Sequence, residues 1–238
     1  MKILLAHETF RCTLAVVARN EVVGSQAMVD RIPWNGFEEA FVIDGNSTDG
    51  TREIFESRGI RIIAQSQPGL GAAMIEARRH TTTDGLVFFH PDGNEDPADV
   101  MVIRMFLATG RSFVVASRMI QGAVNEEDAH FLKPRKWANH SLALAANLLW
   151  GHSRNRTSDV TNGLRGLTCA AWDKMELDAT DLTMDFQMVI RALKKNIVIT
   201  EFPTREGSRI AGATNFKSLD TGLREAKLIW REIRRGRG

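Results

Sequence analysis

The sequence predicts an α/β protein, a mostly parallel β-sheet flanked by helices. Two observations carry this reading. Apolar runs rich in Val, Ile and Phe alternate with segments of helical period from residue 12 to residue 117. The 238 residues, 43% hydrophobic and 25% charged, suffice to bury one large core or two small ones. Strands that alternate with helices pair in parallel through right-handed crossovers.

The elements follow in order. CTLAVVA (12–18) is the first strand, a helix runs from about Glu21 to Ile32, and AFVIDG (40–45) is the second strand. DGTREIFESRG (49–59) is a helix with Asp49 as its N-cap and Gly59 as its stop. IRIIAQ (60–65) is a strand, GAAMIEARRHT (71–81) a helix and GLVFFH (85–90) the fourth strand. Asp96-Pro97 caps and starts another helix, and SFVVAS (112–117) is the fifth strand. Pro134 precedes a helix of about 135–150 with Trp137, Leu144 and Leu148 on one face, which reads as core-facing. TMDFQMVIRALKKN (183–196) is a further helix, and a strand and loop follow it to residue 216.

Composition excludes several classes. A net charge of +2 gives no ground for expecting nucleic acid, although the last stretch, LREAKLIWREIRRGRG, is locally basic. Cys12 and Cys169 have neither CxxC nor Cys/His spacing, which argues against a disulfide framework or a zinc site and for a reducing, cytoplasmic compartment. The opening apolar run is broken by His7 and Glu8 before a signal-peptide core forms, and no run reaches the roughly 18 apolar residues of a membrane span.

Ligands of open parallel sheets bind outside the carboxyl ends of the strands. Polar and glycine-rich signals gather there: Ala18-Arg19-Asn20-Glu21, Asp44-Gly45, QPGLGAA, His90-Pro91-Asp92 and Ser117-Arg118. Pro91-Asp92-Gly93 is also ordinary turn chemistry, as is Asp44-Gly45. GLGAAM departs from a dinucleotide fingerprint, because Met74 stands where a third small residue permits close helix packing.

VVARNE, VIDGNSTDGT, QPGLGAA, FFHPDGN, VVASR and SDVTNGLRG, in this order, resemble the family-2 nucleotide-sugar glycosyltransferases of the GT-A fold, particularly their dolichol-phosphate mannose synthase-like branch. The resemblance covers about residues 12–216 and implies one glycosyltransferase domain over 1–216, followed by a basic amphipathic tail over 217–238.

What the resemblance implies can be assigned residue by residue. Ala18, Arg19, Glu21 and Asp44 would hold the base and ribose of the donor, and Gly69 and Gly71 would let the backbone approach the nucleotide. The family's Asp-x-Asp metal motif here reads His90-x-Asp92-x-Asn94, so the second aspartate is kept and the first is not. A diphosphate leaving group needs divalent charge, Mg²⁺ or Mn²⁺, and Asp92 is the expected ligand. His90 leaves three readings open: a manganese-favouring ligand, a phosphate contact, or a core histidine. Arg118 and Arg135 would lie near an acceptor phosphate, and Arg209 would belong to a loop that closes over the donor phosphates. For a hydroxyl acceptor, Asp159 would take the proton, with a turn aspartate as its plainer reading.

The implied activity is inverting transfer of a sugar from a nucleotide diphosphate sugar, preferably to a polyprenyl phosphate. A saccharide hydroxyl acceptor and a catalytically silent sugar-nucleotide binder are the alternatives, and a homo-oligomer is left open. The tail sets Leu219, Leu223, Leu228, Ile229 and Trp230 beside Lys217, Arg224, Lys227, Arg231, Arg234 and Arg235, a pattern for contact with an anionic membrane surface or for a solvated basic face.

Overall fold

The computed structural model describes residues 10–210 and 218–236, except 130, 132 and 154. A seven-stranded sheet forms its centre: β1 (Cys12–Ala18), β2 (Glu39–Asp44), β3 (Ile62–Ala64), β4 (Gly85–Phe89), β5 (Phe113–Ser117), β6 (Arg165–Thr168) and β7 (Ile199–Pro203), in the order β3-β2-β1-β4-β6-β5-β7. β1 pairs in parallel with β2 and β4, and β5 with β7, whereas β6 lies antiparallel between β4 and β5. The mostly parallel, Rossmann-like sheet is therefore as expected. Its reversed strand is not marked in the sequence, because RGLT is too short and too polar to read as an apolar run.

Period-two alternation sorts side chains onto two cores. Ala15, Phe41, Phe88 and Phe113 face one layer, and Leu14, Val42, Val87 and Val114 the other. The first layer is filled by α3 (Leu70–His80), α5 (Pro134–Leu149), α6 (Cys169–Met175) and α7 (Met184–Lys194). The second lies against α1 (Val22–Met28), α2 (Thr51–Glu56) and α4 (Asp99–Ala108). The sequence reading did not contain α6. Asp49 organises the start of α2 without being its N-cap residue: its carboxylate accepts from Thr51 N at 3.0 Å and from Val22 N, at the start of α1, also at 3.0 Å.

Two expectations about faces change. Trp137, Leu144 and Leu148 point outward, 53%, 60% and 76% exposed, while Asn139, Ala143 and Ala146 of α5 face the core. Small residues let α5 approach the body of the protein closely, so its large apolar side chains lie on the other side. The last helix, α8 (Ser218–Arg234), docks on α7. Thr221, Glu225, Leu228 and Glu232 recur at helical spacing on its buried face, and Leu223 and Trp230 stay more than 60% exposed on the opposite face. No helix among the described residues is long and apolar enough to cross a membrane.

Candidate active site

A cleft of about 870 Å³ opens over the carboxyl ends of β1, β4 and β5. Ala18, Arg19, Glu21, Gly69, His90, Asp92, Asn94, Arg118, Arg135 and Arg209 line it; Asp44, Gly71 and Asp159 do not.

The segment after β4 carries the centre of the site. Asp92 Oδ1 accepts from Asn94 N at 3.0 Å, the turn expected of Pro91-Asp92-Gly93, and Asp92 Oδ2 faces Arg209 Nη1 at 3.2 Å. Glu95 grips His90 twice, accepting from its backbone N at 2.7 Å and from Nδ1 at 2.9 Å. Burial opposes a charge on His90, but the Glu95 carboxylate outweighs it and pushes the imidazole up to about 9. Burial and the nearby Glu95 charge push the Asp92 carboxyl above its ordinary value. Two buried polar atoms of this segment, His90 Nε2 and Asn94 Oδ1, have no hydrogen-bond partner. Buried polar groups are nearly always satisfied, so these two atoms are open to a ligand, an ion or an ordered water. Among the described residues, however, no three His, Cys, Asp or Glu side chains form a metal-holding cluster. A cation here would draw on Asp92 and the Asn94 amide oxygen and complete its shell from a ligand.

Arg209, in the segment after β7, also pairs with Glu21, so one guanidinium links the ends of β1 and β4. At the end of β5, Arg118 forms a bidentate pair with Asp159, Nε to Oδ2 at 2.9 Å and Nη2 to Oδ1 at 3.0 Å, and reaches Glu206 at 2.8 Å. Asp159 is fully buried, and the Arg118 charge holds its carboxyl below the ordinary range despite that burial. Glu201 on β7 fixes this segment by accepting from Ser158 N and Asp159 N at 2.9 and 3.0 Å. Arg135, half exposed at the start of α5, pairs with Glu126 and Glu127.

The glycines near α3 serve the protein's own backbone. A Cβ on Gly69, whose φ is +118°, would come within 2.2 Å of Thr180 O, and one on Gly71 within 2.2 Å of Ala179 O. Gly71 N donates to Asp181 O at 3.2 Å and Ala72 N to Thr180 O at 3.0 Å, so these helix-start amides are already satisfied. Asp44 is 2% exposed and accepts from Ser47 N, the turn role of Asp-Gly.

Sequence reasoning missed several lining residues. Glu95 is hidden because only the folded turn brings it back onto His90. Asp185, at the start of α7, lines the cleft with Arg165 Nε 3.2 Å from its Oδ1, and burial raises its carboxyl. Gln65 and the α8 residues Thr221 and Glu225 also face the cleft.

With this arrangement in view, the family model described as Glycosyl transferase family 2 matches residues 26–168. The chain belongs to glycosyl transferase family 2. Glycosyltransferase AglJ of Haloferax volcanii is 28% identical over 204 residues, covering 84% of this chain and 63% of that protein. Low-salt glycan biosynthesis hexosyltransferase Agl6 of the same organism is 23% identical over 188 residues, covering 79% of this chain and 44% of that protein. The chain thus spans less than two thirds of the length of either relative. Glucosyl-3-phosphoglycerate synthase from Mycobacterium tuberculosis in complex with UDP superposes with a TM-score of 0.75 at 17% identity, over 97% of this chain and 83% of that one. The same enzyme with Mn²⁺, UDP-glucose and phosphoglyceric acid gives 0.73 at 20% identity, over 97% and 82%. At that identity the likeness shows the fold, which is GT-A.

Proposed function

We propose that the chain transfers a sugar from a nucleotide diphosphate sugar, with Mg²⁺ or Mn²⁺, to an acceptor held at the Arg118–Arg135 end of the cleft. The observation that carries this reading is the Asp92 segment, where a carboxylate stands beside two unsatisfied buried polar atoms at the end of a central strand. When bound, a divalent cation supplies Lewis acidity to the diphosphate leaving group. Asp92 and Asn94 are the oxygen donors for it. His90 is read as a phosphate contact: Glu95 accepts from Nδ1 and pushes the imidazole up to about 9, and the imidazolium offers Nε2 as an N–H donor. Arg209 holds Asp92 and Glu21 and lines the cleft, where its guanidinium would meet the donor phosphates. Ala18, Arg19 and Glu21 border the nucleotide, with Gln65 and Gly69 beside them.

For the acceptor, a polyprenyl phosphate used with inversion is the preferred class. Supporting it, α5 and α8 both border the cleft and both turn large apolar side chains outward, which suits an enzyme resting on the bilayer that contains its acceptor. Phosphate needs no general base, and Arg135, half exposed, is placed to meet it. Asp159 then acts through Arg118, which it orients. A hydroxyl acceptor is favoured by one observation, the place of Asp185 on the cleft wall, where its carboxylate would serve as the base in place of Asp159, which does not line the cleft.

A thermal-shift panel of UDP- and GDP-sugars with and without Mn²⁺ tests the donor. One sugar nucleotide should raise the melting temperature in a Mn²⁺-dependent way. No shift with any of them would refute the reading.

A further inference from the structure

Among the described residues, one carboxylate that lines the cleft has no partner. Glu21 and Asp92 face Arg209, Glu95 accepts from His90, and Glu206 accepts from Arg118. Glu225, on α8, accepts no hydrogen bond and faces no cation, although it is only 6% exposed. A carboxyl that is nearly buried on a cleft wall and has no partner in the protein is open to a ligand that donates to it. Burial alone pushes its carboxyl up to about 7, consistent with that lack of a partner.

The position of Glu225 is fixed from both sides. Two turns later, Glu232 accepts from Arg191 Nη2 at 2.9 Å and from Lys194 Nζ at 3.1 Å, and Leu228 is buried between them. One residue before it, Arg224 Nη1 reaches Asp181 Oδ2 at 3.1 Å. The Ala179–Asp181 backbone is packed directly on Gly69 and Gly71, at the start of α3. This end of α8 therefore adjoins the Gly69 side of the cleft, which the donor reading gives to the nucleotide sugar. A nucleotide diphosphate sugar on that side offers a carboxylate the hydroxyls of its sugar, and comparison with the bare nucleoside diphosphate separates these from the donors of the base and ribose.

We propose that Glu225 contacts the sugar of the nucleotide-sugar donor and accepts a hydrogen bond from one of its hydroxyls. This assignment rests on the donor reading above. It makes α8 a contributor to donor selection.

The test is calorimetric titration of the full chain in Mn²⁺ with UDP and UDP-glucose, and with GDP and GDP-mannose, for wild type, Glu225→Ala and Glu225→Gln. Glu225→Ala should weaken binding of the sugar nucleotide by about tenfold or more while leaving the matching nucleoside diphosphate within about twofold. Glu225→Gln should fall between, because its amide oxygen still accepts. Without ligand, neither variant should melt below wild type, since each removes an unpaired buried carboxylate. Equal weakening of both ligands, no weakening of either, or a lowered melting temperature would overturn the assignment while leaving the donor reading in place. A wild-type chain that binds none of the four would overturn both.

Discussion

At the scale of single residues, the His90–Asp92–Asn94 segment separates charge for a ligand from charge for the fold. Asp92 sits where burial and Glu95 disfavour its ionised form, so its negative charge contributes little to stability. Asp92→Asn should therefore abolish Mn²⁺-dependent binding of the sugar nucleotide while the urea midpoint stays level or rises; calorimetry and a denaturation curve on the same sample decide this. His90 is different, because both its backbone N and its ring are tied to Glu95. His90→Asp restores the family's aspartate on paper, but here it would set a carboxylate against Glu95. The expected result is a loss of about 2–4 kcal/mol in urea unfolding, since breaking a buried pair leaves one charge uncompensated. An undiminished midpoint, with stronger Mg²⁺ dependence, would show that the segment rearranges around the new carboxylate.

At the scale of elements, α8 is held by charge as much as by apolar contact. Glu232 is fully buried between Arg191 and Lys194, which are themselves 4% and 5% exposed at their side chains. Glu232→Ala leaves two buried cations without their shared partner and should cost about 3–5 kcal/mol in chemical denaturation. Asp178 anchors the same helix through Arg231 and Arg235, and also pairs with Arg191. Burial works against its charge, but hydrogen bonds from Gln187 and Arg235 and the charge of Arg191 bring it down to about 2. A carboxyl whose folded value lies below its unfolded one stabilises above the unfolded value and loses that contribution as pH falls through the folded one. The window here runs from about pH 4 down to about 2. Asp178 is nearly half exposed, so solvent screening keeps the effect modest. Asp178→Asn should flatten the fall of the urea midpoint in that window; an unchanged slope would assign the acid loss to other groups.

For the whole molecule, the outward faces of α5 and α8 are the features that folding leaves unpaired. Leu223 and Trp230 are 61% and 62% exposed, with Lys227 and Arg231 on the same helix, and Arg234 lies over the Trp230 ring at 5.8 Å. Each basic residue near an anionic leaflet contributes about 1 kcal/mol, and salt screens it. The intact protein should co-sediment with anionic liposomes at low salt and be released at high salt. Deleting 217–238 is a poor control, because it would remove buried Leu228 and Glu232 and uncover α7. The double substitution Leu223→Ser and Trp230→Ser touches only exposed side chains. It should abolish sedimentation without changing the melting temperature, and equal binding to neutral liposomes would defeat the electrostatic part of the proposal.

Periodicity made the parallel sheet legible in the sequence, because strands buried on both faces must be continuous apolar runs, as in GLVFF and FVVAS. The same logic placed the strand-end residues at one rim, and ten of the thirteen residues singled out do line the cleft. Partnership was not legible. That Asp159 is sealed behind Arg118, that Gly71 serves the Ala179–Asp181 backbone, and that Glu95 returns to His90 all depend on contacts formed only in the folded chain. The orientation of α5 was not legible for a related reason: an amphipathic pattern identifies two faces, but only packing decides which one is buried. There the small side chains Ala143 and Ala146 won, because they let the helix backbone come close, and the large apolar residues were left outside. Glu225 is the limiting case. Its sequence context is a basic tail, and only tertiary docking through Leu228 and Glu232, which removes it from water without supplying a partner, makes it a candidate for binding.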